Sequence, residues 1–374
     1  MNMYIKNGLV FHYDSGFQSE ELKLSDGKIE KIDTKPETCA KEEIVDATGC
    51  YVLPGLVDIH FHGCAGHDFC EGTTEAIRKI EQYEAKHGIT TICPATMTLP
   101  KERLLQICRT AAAYDSSFLK GIHLEGPFLS EAKKGAQNAT YLHLPDAGMI
   151  RELKKASGDL VKLVSIAPEL TGAMACIREC ASEVQFSVAH TEADYETALQ
   201  AMKLGAMHVT HLYNAMPPFS HRAPGVIGAA FDSGADVELI CDGIHIAPPV
   251  VRATFCLFGK EHVILISDSM MATGMPDGAY ELGGQPVNVK GNLATLADGT
   301  IAGSATNLYD CMVSAIQMGV DPVAAVRAAT YNPAKAIGLD QVCGSIREGM
   351  PADLLIVGKD WKLQRVIKGG KIQS

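Results

Sequence analysis

The sequence predicts an α/β chain in which a (β/α)8 barrel is flanked by one small sheet domain that both chain ends build. Three observations carry this. Eight short apolar, β-branched runs recur through the middle of the chain with helix-like segments between them, the pattern of a parallel sheet with helical crossovers. Both ends instead alternate β-prone runs with tight turns. At 374 residues the chain also exceeds the roughly 250 that such a barrel needs, which leaves room for a small accessory.

The elements follow in order. Residues 1–52 hold Met3-Tyr4-Ile5, Gly8-Leu9-Val10 and Leu22-Lys23-Leu24, then the hairpin signal Asp26-Gly27 before Lys28-Ile29-Glu30-Lys31-Ile32. Residues 53–344 form the barrel, with strands expected near 56–60, 90–93, 120–124, 162–166, 185–189, 207–211, 238–241 and 263–267. Helices are expected over 74–87, 104–114, 146–156, 194–204 and 321–330, several opened by Asp or Thr as N-cap. Residues 278–300, rich in Gly with alternating strand signals, read as a hairpin excursion over a barrel mouth. Residues 345–374 return to sheet through Asp353-Leu354-Leu355-Ile356-Val357 and a second run over 363–367. Neither end offers enough strands to be stable alone, so the two join.

Composition narrows the function classes. With 47% hydrophobic and 21% charged residues the chain is soluble and globular. A net charge of -11 argues against nucleic acid as a partner, and an anionic small molecule would need a local basic pocket. Residues 1–16, with Lys6, His12 and Asp14 scattered through them, hold no apolar core of signal-peptide length, and no later segment approaches a membrane span. Twelve cysteines without CxxC pairs favour reduced thiols in the cytoplasm, most of them small core residues.

The chemistry gathers at strand ends, which is where this barrel builds active sites. Strand one ends in Asp58-Ile59-His60-Phe61-His62-Gly63, and a two-residue period would point Asp58, His60 and His62 to one side. Strand three ends in His123-Leu124-Glu125-Gly126-Pro127, strand five in Ala189-His190-Thr191-Glu192, strand six in Thr210-His211-Leu212-Tyr213-Asn214, and strand eight in Ser267-Asp268-Ser269. A lone histidine at a strand end is more often a hydrogen-bonded core or loop residue than a ligand. Four imidazoles and two carboxylates converging on one mouth change that weighting. Nitrogen and carboxylate donors without a cysteine cluster suit a catalytic Zn²⁺ or Fe²⁺. His190, His211 and Glu125 are therefore expected to hold one metal, and His60 with His62 a second, with Glu125 a candidate bridge. Asp268 is the expected base, although its simplest alternative is to cap the turn it begins.

These motifs together resemble the amidohydrolase superfamily, and more closely its N-acetylglucosamine-6-phosphate deacetylases. The resemblance spans most of the chain: Leu53-Pro54-Gly55-Leu56-Val57-Asp58, His123-Leu124-Glu125-Gly126-Pro127-Phe128, Thr210-His211-Leu212-Tyr213-Asn214-Ala215-Met216, Asp242-Gly243-Ile244-His245, Ser267-Asp268, and Gly349-Met350-Pro351-Ala352-Asp353-Leu354 where the chain returns to a small β-sandwich. It implies deacetylation of N-acetyl-D-glucosamine 6-phosphate, with the cation activating water and Asp268 carrying the proton to the departing amine. It also implies a phosphate pocket of the backbone amides of Asn214 and Ala215 with Arg222 and His245, the last two reaching the neighbouring subunit's site in a homodimer.

Some members carry Gln and Asn where this chain has His60 and His62, and those bind one metal; the two histidines here favour two. Others carry a carbonyl-polarising His where this chain has Gln137, which could donate an amide hydrogen bond to the substrate or leave that task to the second metal. Cys64 and His67 read as residues of a flexible loop, and Asp58 and His123 as supports for the ligands. Among rivals, a cyclic-amide hydrolase would commonly use a carboxylated Lys where Glu125 stands, and a non-catalytic barrel would be expected to lack a ligand or the base. A deacetylase for another phosphorylated amino sugar is the nearest alternative.

Overall fold

Residues 2–33 and 43–373 are described by the computed structural model of the chain. The two ends interleave into one sheet. Its order runs Lys371–Ile372, Leu363–Lys368, Leu354–Gly358, Cys50–Pro54, Met3–His12, Gly16–Ser25, Lys28–Ile32, with Glu43–Asp46 beside Met3–His12. Cys50–Pro54 is the joint: it pairs parallel with Met3–His12 and antiparallel with Leu354–Gly358. The strand pleat explains how such a sheet serves two partners. Met3, Ile5, Val10, Leu22, Leu24, Val52, Leu354 and Ile356 gather in a cluster of their own, while Phe11, Leu53, Leu355 and Val357 belong to the barrel's core. Residues 34–42 of the expected first part, 1–52, lie outside the described residues.

The barrel strands are Leu56–Asp58, Ile89–Ile92 continuing as Ala95–Thr96, Ile122–Leu124, Val161–Ile166, Gln185–Val188, His208–Val209, Asp236–Ile240 and Val263–Ile266. Each pairs in parallel with the next. The Asp268 amide donates to the His60 carbonyl at 3.0 Å and the His62 amide to Ser269 O at 2.7 Å, so strand eight closes on strand one. The closing bonds lie at His60, His62 and Asp268, three of the residues expected to carry the chemistry.

The expected helices appear as Thr74–Lys86, Lys101–Ala113, Ala147–Ala156, Tyr195–Lys203 and Pro322–Ala329. Thr73, Asp146, Asp194 and Asp321 cap four of them through their side chains. Lys101–Ala113 begins ahead of its expected start because Lys101, Glu102 and Arg103 carry no apolar signal before Leu104. The helices Ala173–Cys180, Gly225–Ser233, Pro248–Phe258 and Leu308–Gln317 were not among those anticipated. Gly225–Ser233 is buried along its first two turns and so lacks a polar face to reveal a period.

Inside the barrel, Val57, Ile59, Leu163, Ile240, Ile264 and Ile266 pack with Ala334 and Ile337. The helix Tyr331–Ala336 plugs this end, where the Asn332 side chain donates to Lys260 O and Val263 O, both at 2.8 Å. Here the pleat expectation for strand one fails. Val57 and Ile59 face inward, so Asp58 turns away and its carboxylate accepts the Ser267 hydroxyl at 2.6 Å. The same carboxylate accepts the His60 amide at 3.2 Å, which ends the strand and breaks its period, and only His60 and His62 reach the mouth. Over that mouth lie the antiparallel strands Gly278–Leu282, Gln285–Lys290 and Leu293–Thr295, as the excursion predicted. Among the described residues no helix is long and apolar enough to cross a membrane.

Candidate metal centre and substrate cavity

Glu125 follows strand three and is 2% exposed. Gly126 after it adopts φ +98°, and a Cβ there would meet Thr98 Oγ1 at 2.2 Å, so only glycine lets the chain turn off at this point. Four imidazoles surround the carboxylate. His190 Nε2 and His211 Nε2 each lie 3.1 Å from Glu125 Oε1, His60 Nε2 lies 3.4 Å from the same oxygen, and His62 Nε2 lies 3.3 Å from Oε2. Asp268 Oδ1 stands 3.3 Å from His62 Nε2 and 3.8 Å from His60 Nε2. His190, His211 and Asp268 hold φ of +44°, +30° and +49°. Residues other than glycine avoid that region, which costs on the order of 1–3 kcal/mol each and clusters at functional sites.

Among the described residues three sets of donor atoms lie close enough to share a cation: Glu125 with His190 and His211, His60 with His62 and Asp268, and, deeper in the barrel, His60 with His123 and Glu238. The first makes the sharpest test. His190 Nε2 and His211 Nε2 point at each other across 3.1 Å, an approach that two lone pairs tolerate only with a proton or a cation between or beside them. Donors held at zinc-ligand distances about a tetrahedral cation lie roughly 3.3–3.6 Å apart. The contacts here sit at or just inside that spacing. His190 Nδ1 is already engaged by Lys133 O at 2.8 Å, which leaves Nε2 for the centre.

Charge points the same way. Burial would raise the Glu125 carboxyl, but the His60 ring and the hydrogen bonds from His190 and His211 hold it well below the usual carboxylate range. Burial would lower His62, yet hydrogen bonds to Asp268 and Glu125 push it up to about 10. His60 is likewise raised despite burial, by Glu238 and Glu125. Asp268 is lowered against the burial that would raise it, chiefly by its bond to His62. Without a cation, protons on His60 and His62 compensate these carboxylates. A divalent cation can take their place, and this cluster of donors suits one.

Beneath the centre lies a polar layer in which His123 was expected as a support but Glu238 and His208 were not. Glu238, fully buried, accepts from His60 Nδ1 at 2.8 Å, His208 Nε2 at 3.0 Å and the His211 amide at 3.1 Å. It therefore orients one histidine's ring and another's backbone. An acid inside Val237-Glu238-Leu239-Ile240 was the available signal, since an inward charge in an apolar barrel strand needs a partner. His123 Nε2 pairs with Ser165 Oγ at 2.8 Å, and burial together with nearby His60 lowers its ring to about 3, so it supports the layer as a neutral group.

The mouth opens into a cavity of about 530 Å³. Glu125, His62, His190, His211, Asp268, Gln137, Asn214, Ala215 and His245 all line it, with Lys133, Lys134 and the hairpin's Leu282. Three of the expected binding residues are engaged or placed as follows. The Asn214 amide donates to His211 O at 2.9 Å and is spent on its own turn. The His245 ring lines its own chain's cavity, drawn back by Asp242, which accepts from its Nδ1 at 2.7 Å and from the amides of Ile244 and His245. Arg222 is exposed and lines a different groove with Glu192, Tyr195 and Pro217.

Comparison with known proteins places this geometry. Residues 51–373 match the amidohydrolase family. The chain is 36% identical to the N-acetylglucosamine-6-phosphate deacetylase of Bacillus subtilis (strain 168), covering 99% of this chain and 94% of that one. It is 29% identical to an N-acetylgalactosamine-6-phosphate deacetylase of Escherichia coli O157:H7, covering 95% and 94%. Its fold is similar to that of a mutant N-acetyl-D-glucosamine-6-phosphate deacetylase from Mycobacterium smegmatis in complex with N-acetyl-D-glucosamine-6-phosphate, with a TM-score of 0.93, 31% identity and 99% of each chain covered.

The polar layer yields a first prediction. Glu238→Leu strips the acceptor from three buried donors and is expected to destabilise the chain by about 3–5 kcal/mol in urea unfolding. A loss below about 1 kcal/mol would mean those donors find other partners.

Proposed function

The chain belongs to the amidohydrolase family, and on that premise we propose that it deacetylates N-acetyl-D-glucosamine 6-phosphate to D-glucosamine 6-phosphate and acetate, in amino-sugar recycling in the cytoplasm. One observation carries the reading: Glu125 lies between two histidine pairs with Asp268 at their edge, and Glu125, His62, His190, His211 and Asp268 line a single cavity that has basic residues on its wall.

We assign Glu125, His190 and His211 as the residues that would hold one divalent cation, zinc or iron, and His60 with His62 as those that would hold a second. A cation bound there supplies Lewis-acid polarisation of the acetamide carbonyl and makes a water molecule acidic enough to attack near neutral pH. Asp268, ionised because its carboxyl lies below the ordinary range, accepts the proton of the attacking water and hands it to the nitrogen as the C–N bond breaks. One water is consumed; acetate leaves with its oxygen and the sugar leaves as the amine. The leucine of the hairpin and Met97 line the same cavity and limit its water.

The phosphate would meet Lys133, Lys134 and His245 on the cavity wall. We propose a homodimer in which Arg222, exposed and outside its own cavity, completes the neighbour's site. The galactosamine epimer is the second reading, favoured by the relative of that specificity.

Acetate release measured side by side on both 6-phosphates and on unphosphorylated N-acetylglucosamine, with metal content determined on the same sample, tests the activity. The 6-phosphate of glucosamine is expected to be the best substrate, and Arg222→Ala to raise KM for it far more than for the unphosphorylated sugar; equal effects would remove Arg222 from the phosphate. Asp268→Asn is expected to keep its metal and lose about 10²-fold or more in kcat, and retention of most activity would end the proton-transfer assignment. His60→Asn with His62→Asn is expected to bring the metal-to-protein ratio down toward one, where an unchanged ratio would eliminate the second site.

A further inference from the structure

Gln137 was expected at the substrate carbonyl, yet every strong hydrogen-bonding position of its amide is turned elsewhere. It is 2% exposed. Its Oε1 accepts the Thr98 amide at 2.6 Å, and its Nε2 donates to Glu125 Oε2 at 2.8 Å. The two contacts fix the assignment of the group, because a backbone N–H can only donate and so the oxygen must face Thr98. The remaining N–H lies toward the Met97 sulfur at 3.7 Å, a weak acceptor.

A glutamate's terminal torsion is soft, with broad, roughly two-fold preference, so a carboxylate among several donors needs something to set its plane. Gln137 grips the oxygen that faces His62, while the other oxygen faces His60, His190 and His211. The loop that carries it holds a second member of the centre, since Lys133 O fixes the His190 ring. The hairpin in turn pins that loop, with Gln285 Nε2 donating to Ala136 O at 3.2 Å. One short segment thus orients two of the three groups in the Glu125, His190 and His211 set, without either contact involving substrate.

We propose that Gln137 is a positioning residue of the metal centre: it sets the plane of Glu125 so that one oxygen faces His60, His190 and His211 and the other faces His62, and it governs how firmly the cation is held rather than how the sugar binds. This rests on the reading of Glu125 as a metal ligand. Outer partners of metal ligands commonly contribute 10–100-fold in metal affinity, which sets the size of the expected effect at about that range.

The test uses the zinc-loaded, full-length protein and its Gln137→Leu and Gln137→Met variants, the second keeping the unbranched side chain should the first fail to fold. The chelator concentration that removes half the zinc is expected to fall by about tenfold or more in the variants. KM for N-acetyl-D-glucosamine 6-phosphate should stay within about twofold of the unsubstituted protein, well short of that affinity loss. Unchanged zinc retention overturns the inference, whether KM rises, as a substrate contact would require, or stays put. An unsubstituted protein that retains no zinc or iron but still releases acetate overturns the metal reading itself, and is distinguished from failure of the Gln137 role by that control alone.

Discussion

A single buried carboxylate organises this molecule. Glu125 sits almost out of reach of solvent, and a carboxylate so placed is costly unless positive charge stands against it. The fold answers with four imidazoles at 3.1–3.4 Å, brought from strands one, five and six. Their convergence requires a closed barrel, for an open sheet would not bring strand one beside strands six and eight. It also requires His190, His211 and Asp268 to leave their strands with positive φ, a strain that the surrounding bonds sustain. The closing contact between Asp268 N and His60 O belongs to the same arrangement: the backbone that seals the ring carries a residue of the centre on each side.

The barrel interior is graded to support that layer. Aliphatic residues and a plugging helix fill the lower end, and Glu238, His208, His123, Ser165 and Thr210 form a hydrogen-bonded floor above them. Ser187 and Thr210 join the floor at 2.5 Å. Polar groups buried this deeply are stabilising only when paired, and here the pairing has direction. Glu238 touches both sets of donor atoms at the mouth, one through the His60 ring and the other through the His211 backbone. A shift in either set is therefore felt by the other.

The parts of this design that follow a period or a chain-local motif were legible in the sequence. Eight parallel strands, the capped helices at Asp146, Asp194 and Asp321, and the hairpin over the mouth all announce themselves through alternation, caps and turn residues. So does the gathering of His60, His62, Glu125, His190, His211 and Asp268, because each ends a strand whose direction is set by the fold. What stayed hidden depends on contacts between residues far apart in sequence. Asp58 was placed with His60 by a pleat that its own bond to the His60 amide interrupts. Glu238 looked like part of a strand until three donors were found against it. Gln137 looked available until Thr98 and Glu125, 39 and 12 residues away, were seen to occupy it.

The cavity's electrostatics bear on the proposed dimer. With Glu125 and Asp268 compensated within the centre, the wall that remains offers Lys133, Lys134 and His245 against Glu131 and Asp298. Burial lowers the His245 ring's affinity for a proton, but Asp242 more than restores it. The Asp242 carboxylate behind the ring balances whatever positive charge it gains, which makes His245 a directed donor and a poor source of net positive potential. Two lysines facing two acids add little more. A phosphate dianion entering a chain of net charge -11 thus lacks a strong cation from within its own subunit. Arg222, exposed on a neighbouring groove with five donors in a rigid fork, has the chemistry the cavity lacks, and that is the electrostatic ground of the proposed dimer.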